Sequence, residues 1–154
     1  MKMTNKIKMT LAAGEVIIET LPEIAPQHVA RINELVKSRF YNGLTFHRVI
    51  DGFMAQGGCP RGDGTGGSGV KIPAEFSHAT FSRGAVGMAR AHDINSADSQ
   101  FFICLADSDF LDGKYTLWGR VTSGMDVVDK IKHGDIRNNG HVDNPDKIIK
   151  MELI

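Results

Sequence analysis

Residues 46–58, FHRVIDGFMAQGG, set a guanidinium and a carboxamide inside an apolar run. Arg48 has Phe46, Val49, Ile50, Phe53 and Met54 around it in sequence, and Gln56 follows in the same stretch. A segment built only for a core would not hold a side chain that stays charged at every useful pH. A segment built only for a surface would not hold so many large hydrophobes together. Two chemistries fit. In one, Arg48 closes a structural ion pair, with Asp51 the nearest carboxylate in sequence. In the other, it lines an apolar hollow, where a fixed donor acts strongly on a bound group because little water screens it.

Other chemical patterns are weaker. Gly62, Gly64 and Gly67, inside the loop GGCPRGDGTGGSG, have the spacing of a dinucleotide fingerprint. No apolar strand leads into them, no helical pattern follows, and no Gly-Lys-Ser/Thr occurs, so a chance match in a glycine-dense loop is the better reading. Such a loop supplies positive φ angles and close backbone approach beside a site. The histidines (His28, His47, His78, His92, His133 and His141) include no HExxH pair, and no metal site is expected. His47, between Phe46 and Arg48, reads as a core histidine with its nitrogens satisfied. No Gly-x-Ser-x-Gly elbow occurs, so hydrolysis through an acyl-enzyme has no evident nucleophile. Cys59 and Cys104 lack CxxC spacing and read as reduced thiols, Cys104 as a small hydrophobe within FFICLA.

The elements that must carry Arg48 are strands. Ile7, Met9 and Leu11 alternate with polar residues, Ala13-Gly14 make a turn, and Val16 to Ile18 carry the return strand. Residues 22–43 change period, with Val29, Ile32, Leu35 and Val36 at helical spacing behind Pro26. Alternation resumes at 44–50, and FMAQGG follows the turn at Asp51-Gly52. Further strands are expected at 84–90, 100–106, 115–122 and in the C-terminal DKIIKMELI, with a short helix over 124–133. On a strand through SQFFI, Gln100 and Phe102 share one face while Phe101 and Ile103 share the other. About eight strands and two short helices without βαβ alternation give an all-β sandwich or a closed barrel. A barrel removes sheet edges, and the two helices would plug its ends.

The chain has 154 residues, read as one domain over residues 1–154. Eighteen basic residues balance eighteen acidic ones, which leaves no footprint for nucleic acid or an anionic membrane and leaves peptide substrates open. No apolar run is long enough for a signal h-region or a membrane span, so a soluble, cytoplasmic protein is expected.

In order and rough spacing, FHRVIDGFMAQGG, GTGG, GAVGMARA, NSADSQFFI and FLDGKYTLWGRV resemble the cyclophilin family of peptidyl-prolyl cis–trans isomerases, in its compact bacterial form. The resemblance runs from about residue 6 to the end. It implies a closed eight-stranded antiparallel barrel capped at each end by a helix. It implies catalysed rotation about X–Pro bonds in peptides and folding proteins, by a monomer needing neither metal nor cofactor. Arg48 matches the family's catalytic arginine and Gln56 the glutamine beside it. Phe53, Met54, Phe102 and Leu111 match the proline pocket. Ala89, Arg90 and Gln100 match contacts to the substrate backbone and a neighbouring subsite, and Phe110 and Tyr115 match the rim. Eukaryotic members commonly carry Trp in place of Phe110 and His in place of Tyr115, which implies weak cyclosporin binding here. Arg90 stands where Asn is common, which bears on substrate preference. Two competing readings are a proline-peptide docking module on the same scaffold and, from the glycine loop alone, a nucleotide-dependent enzyme. Trp118, outside these motifs, is expected in the core.

Overall fold

The structure is a computed structural model that describes residues 5–154. Alternating burial makes the first hairpin. In β1 (Lys6–Leu11) and β2 (Gly14–Thr20), Ile7, Met9, Leu11, Val16 and Ile18 turn inward, in register from Lys6↔Glu19 to Leu11↔Gly14. Helix α1 (Pro26–Lys37) starts with a proline, whose missing N–H costs nothing in a first turn. It buries Val29, Ile32, Leu35 and Val36, and also His28. Its N-terminus has no cap of its own; Glu75, from a distant loop, accepts from the N–H groups of Gln27 and His28.

Six more strands follow: β3 (Arg48–Ile50), β4 (Met54–Gly57), β5 (Ala85–Met88), β6 (Phe101–Cys104), β7 (Leu117–Ser123) and β8 (Lys150–Leu153). They join β1 and β2 in one antiparallel sheet of order β3-β4-β6-β5-β7-β2-β1-β8. The expected helix over 124–133 is shorter, α2 (Met125–Val128), and continues as hydrogen-bonded turns to Ile131. Helix α1 lies against β8, and α2 against β2.

The expectation of a closed barrel is corrected. The sheet curls but stays open, because its edge strands β3 and β8 do not pair with each other. Across the seam run two isolated bridges, Thr45↔Lys147 and Arg48↔His141, and backbone hydrogen bonds from Gly43 to Ile148, Ile148 to Leu44, Phe46 to Asp146, Val142 to His47 and Val49 to Gly140. Asn144, left-handed at φ 51°, and Pro145, which has no N–H to give a ladder, break the strand that would have to face β3.

Strands β4, β6 and β5 are buried on both faces. Phe101 and Ile103 enter the main core beneath the curl, where Phe101 meets Tyr41, Phe46 and Trp118 edge-on at 5.5, 5.9 and 6.2 Å between ring centres. Trp118 is fully buried, as expected. On the opposite face Met54, Phe81, Ala85, Phe102, Cys104, Leu111 and Leu117 form a second cluster. Cys59 and Cys104 are both unpaired and buried, and burial pushes the Cys104 thiol up to about 12.

Candidate active site

The outer face of the sheet aligns the residues singled out above. Arg48 stands opposite Gln56, Gln56 opposite Phe102, and Phe102 opposite Gly87, a row crossing β3, β4, β6 and β5. Period-two alternation puts them all on one face, with Met54 two residues before Gln56. Gly87 ends the row for a steric reason. A Cβ there would lie 2.6 Å from the Phe81 ring and 2.7 Å from the Phe102 ring. Phe102 thus packs closely over the glycine and also lines the groove.

A groove of about 430 Å³ opens over this row, lined by Arg48, Phe53, Met54, Gln56, Ala89, Arg90, Phe102, Leu111 and Tyr115. Its apolar end is Phe53, Met54, Phe102 and Leu111; its polar end is Arg48 and Gln56. Tyr115 meets Phe102 edge-on at 5.8 Å and carries the Arg90 guanidinium over its ring at 4.6 Å. Phe110 does not line the groove. It is 60% exposed and rests on Phe53, ring centres 5.4 Å apart. Gln100 lines an adjoining hollow instead, and joins the groove by accepting a hydrogen bond from Gln56 Nε2 at 3.0 Å.

The Arg48 guanidinium is held by neutral acceptors. It donates through Nη1 to Gln56 Oε1 (3.0 Å), through Nε to the Asn139 carbonyl (3.0 Å) and through Nη2 to Asn139 Oδ1 (3.2 Å). No carboxylate pairs with it among the described residues. Asp51, the partner that a structural ion pair would use, instead faces His133 at 3.7 Å on the surface. Burial pulls the Arg48 pKa down, with Tyr115 opposing, yet a guanidinium remains charged. From Gln56 the chain of donors runs on: Gln100 Nε2 donates to the carbonyls of Gly64 and Gly66, which ties the glycine loop to the sheet. Gly64 lies at φ 89°, the positive angle expected of that loop.

Asn139, His47, Asp63 and Gly64 also line the groove. Asn139 sits at φ 56°, before Gly140, whose N–H closes the 135–140 turn onto Asp135. Asn-Gly is a turn dipeptide, but nothing in the sequence ties this turn to Arg48. His47 departs from expectation in one respect: it is buried, but its Nδ1 has no hydrogen-bond partner. Burial, then Arg48, lower its pKa. Among the described residues no cluster of three His, Cys, Asp or Glu side chains is placed to hold a metal ion, and no helix is long and apolar enough to cross a membrane.

A sequence model of the cyclophilin-type peptidyl-prolyl cis–trans isomerases matches residues 6–153. The chain belongs to this family. Its activity is peptidyl-prolyl cis–trans isomerisation. It is 52% identical over 161 aligned residues to a probable peptidyl-prolyl cis–trans isomerase of Brucella abortus, covering 97% of this chain and 82% of the relative. It is 42% identical over 132 residues to peptidyl-prolyl cis–trans isomerase B of Bacillus subtilis, covering 84% and 92%. Among solved structures, a cyclophilin from Hirschia baltica superposes with a TM-score of 0.87 at 28% identity, over 98% of this chain and 74% of that one. A cyclophilin-type isomerase from Cryptosporidium parvum, crystallised in the presence of the dipeptide Ala-Pro, also gives 0.87, at 25% identity over 97% and 98%.

Proposed function

We propose that this cyclophilin accelerates rotation about X–Pro bonds in peptides and folding proteins by holding the prolyl ring against Phe53, Met54, Phe102 and Leu111 while Arg48 donates to the twisted prolyl nitrogen. Rotation about an amide costs ~18–20 kcal/mol because resonance is lost. For X–Pro both planar isomers lie within ~0.5–1 kcal/mol of each other, so catalysis needs only preferential binding of the twisted form. In either planar form the nitrogen lone pair is delocalised and accepts poorly. Twisting localises it, and the nitrogen becomes an acceptor only there. A donor aimed at that point stabilises the transition state and leaves both ground states alone.

The observation that carries this reading is how Arg48 is anchored. Three of its five N–H groups go to Gln56 and Asn139, which leaves one on each terminal nitrogen for a ligand. The anchors are neutral, so the charge is undiminished, and the groove wall beside it is apolar. Gln56 positions Arg48 and, through Gln100, fixes the loop across the groove. Ala89, Arg90 and Gln100 would hold the residues that precede the proline, and Phe110 and Tyr115 its rim.

Arg48→Ala tests the assignment. The variant should lose roughly 10²–10³ in kcat/KM on an Ala-Pro peptide followed by NMR exchange, the scale of one lost charge-stabilising donor. Its urea midpoint should move little, because its removal strands only neutral groups at a groove edge. A near-normal rate with a large fall in midpoint would make Arg48 structural. A rate that is undetectable even in the wild type would make the groove a docking site.

A further inference from the structure

Pairing between β5 and β7 stops at Gly87↔Leu117, and a last backbone hydrogen bond runs from the Met88 N–H to the Thr116 carbonyl at 3.0 Å. Two residues beyond Met88, a side chain takes over from the ladder. The Arg90 guanidinium reaches the Lys114 carbonyl through Nε at 3.2 Å and through Nη2 at 2.8 Å. It also lies over the Tyr115 ring, 4.6 Å from its centre. Its Nη1 turns back onto its own loop and donates to the Ala91 carbonyl at 3.0 Å and the His92 carbonyl at 3.4 Å.

The two arginines of the groove are thus employed differently. Arg48 keeps one N–H on each terminal nitrogen for a ligand. Arg90 spends four hydrogen bonds from its five N–H groups on backbone carbonyls, and one face on a ring. Little of its side chain is left to hold a substrate. What it grips is a piece of the groove wall. Leu111 and Tyr115 both line the groove and bracket a turn, closed by the Lys114 N–H on the Leu111 carbonyl, with Gly113 at φ 72°. One side of the turn is tied down by Asp112, which accepts from the Thr80 Oγ1–H at 2.6 Å and the Phe81 N–H at 2.7 Å. On the other side Arg90 supplies the tie. Tyr115 is half-buried there and meets Phe102 edge-on at 5.8 Å, so its place sets the mouth of the apolar pocket. An unbraced ring would have to be ordered when a ligand binds, at a cost in affinity.

We infer that Arg90 is a positioning residue: its side chain straps the Lys114–Tyr115 segment to the end of β5 and holds the Tyr115 ring as a wall of the groove, a role that rests on the proposed seating of the prolyl ring. A wall meets planar and twisted forms alike, so the strap acts on KM and leaves kcat alone.

The test compares Arg90→Ala, Arg90→Lys, Tyr115→Leu and the double variant Arg90→Ala/Tyr115→Leu on one Ala-Pro peptide, with kcat, KM and urea midpoint measured for each. Arg90→Ala should raise KM about three- to tenfold, the scale of a cation–π contact or a net hydrogen bond, with kcat and midpoint nearly unchanged. Arg90→Lys should do no better, because an ammonium has no planar fork to bridge a carbonyl and a ring. The double variant should match Tyr115→Leu alone, since without its ring the strap has nothing to place. A normal KM in Arg90→Lys would make charge alone the cause and overturn the strap. Additive losses in the double variant would mean that Arg90 acts on the substrate directly and overturn it too. So would a fall in kcat at unchanged KM, or a fall in midpoint with KM unchanged. An unchanged KM in Tyr115→Leu overturns the wall and leaves the isomerase reading standing. If the wild type does not isomerise the peptide, the seating of the ring fails and the strap fails with it.

Discussion

Arg48 needs a fixed aim as much as a charge, and Asn139 supplies two of its three anchors. Glycine at 139 would keep the carbonyl and tolerate the left-handed backbone, so Asn139→Gly deletes only the Oδ1 contact. Its kcat should fall about tenfold, the scale of one net hydrogen bond of ~1–1.5 kcal/mol, with KM and urea midpoint nearly unchanged. A shift in KM alone would assign Asn139 to substrate binding instead. At the rim, Phe110 offers an exposed ring and no N–H. Cyclosporin should therefore bind weakly, and Phe110→Trp, which adds an indole donor, should tighten it. Calorimetry giving the same affinity for both proteins would remove Phe110 as the cause.

The active row depends on how closely β5 lets Phe102 approach. Gly87→Ala would put a methyl into the Phe81 and Phe102 rings, of which only Phe102 can yield, into the groove. The variant should lose ~1–3 kcal/mol in a urea titration, as overpacking does, and raise KM as the ring fills the proline's place. An unchanged KM would mean the prolyl ring does not sit on Phe102. This is also the scale at which the sequence is most readable. Alternation put Phe102 opposite in facing to Phe101 and Ile103, and the short Arg48–Gln56 hairpin brought two polar groups together from within one segment. Asn139 meets Arg48 across 91 residues and Glu75 caps α1 across 47, and neither leaves a periodic trace. The break opposite β3 was hidden differently: residues 44–50 alternate like a strand, but alternation does not reveal that the facing segment carries Asn144 and Pro145. The family resemblance supplied the site residues; it did not supply Asn139.

Over the whole molecule, two buried histidines set the acid limit of the fold. Burial lowers the pKa of His28, against a pull from Glu75, and burial followed by Arg48 lowers that of His47. Both are neutral in the native state and take up a proton more readily when unfolded. Below the unfolded value of ~6.5 the unfolded chain binds more protons, so stability falls as pH drops from there and holds above it. Urea midpoints should be level between about pH 7 and 8 and decline towards pH 5. A midpoint that rose on acidification would reverse the sign for both. With His47 neutral and Arg48 charged throughout, kcat/KM should stay level from about pH 6 to 8. The sheet order also has a meaning for biosynthesis. Strand β1 is flanked by β2 and by β8, and the β1–β8 register pairs Ile7 with Leu153. At about 5–20 residues per second, a ribosome takes about 7–30 s to make the 146 residues that follow Ile7 up to and including Leu153 (153 − 7). For that time the outer edge of the first hairpin has no partner within its own chain. A protein that hastens the folding of others therefore has, as a nascent chain, a β1 edge in need of protection until β8 is made.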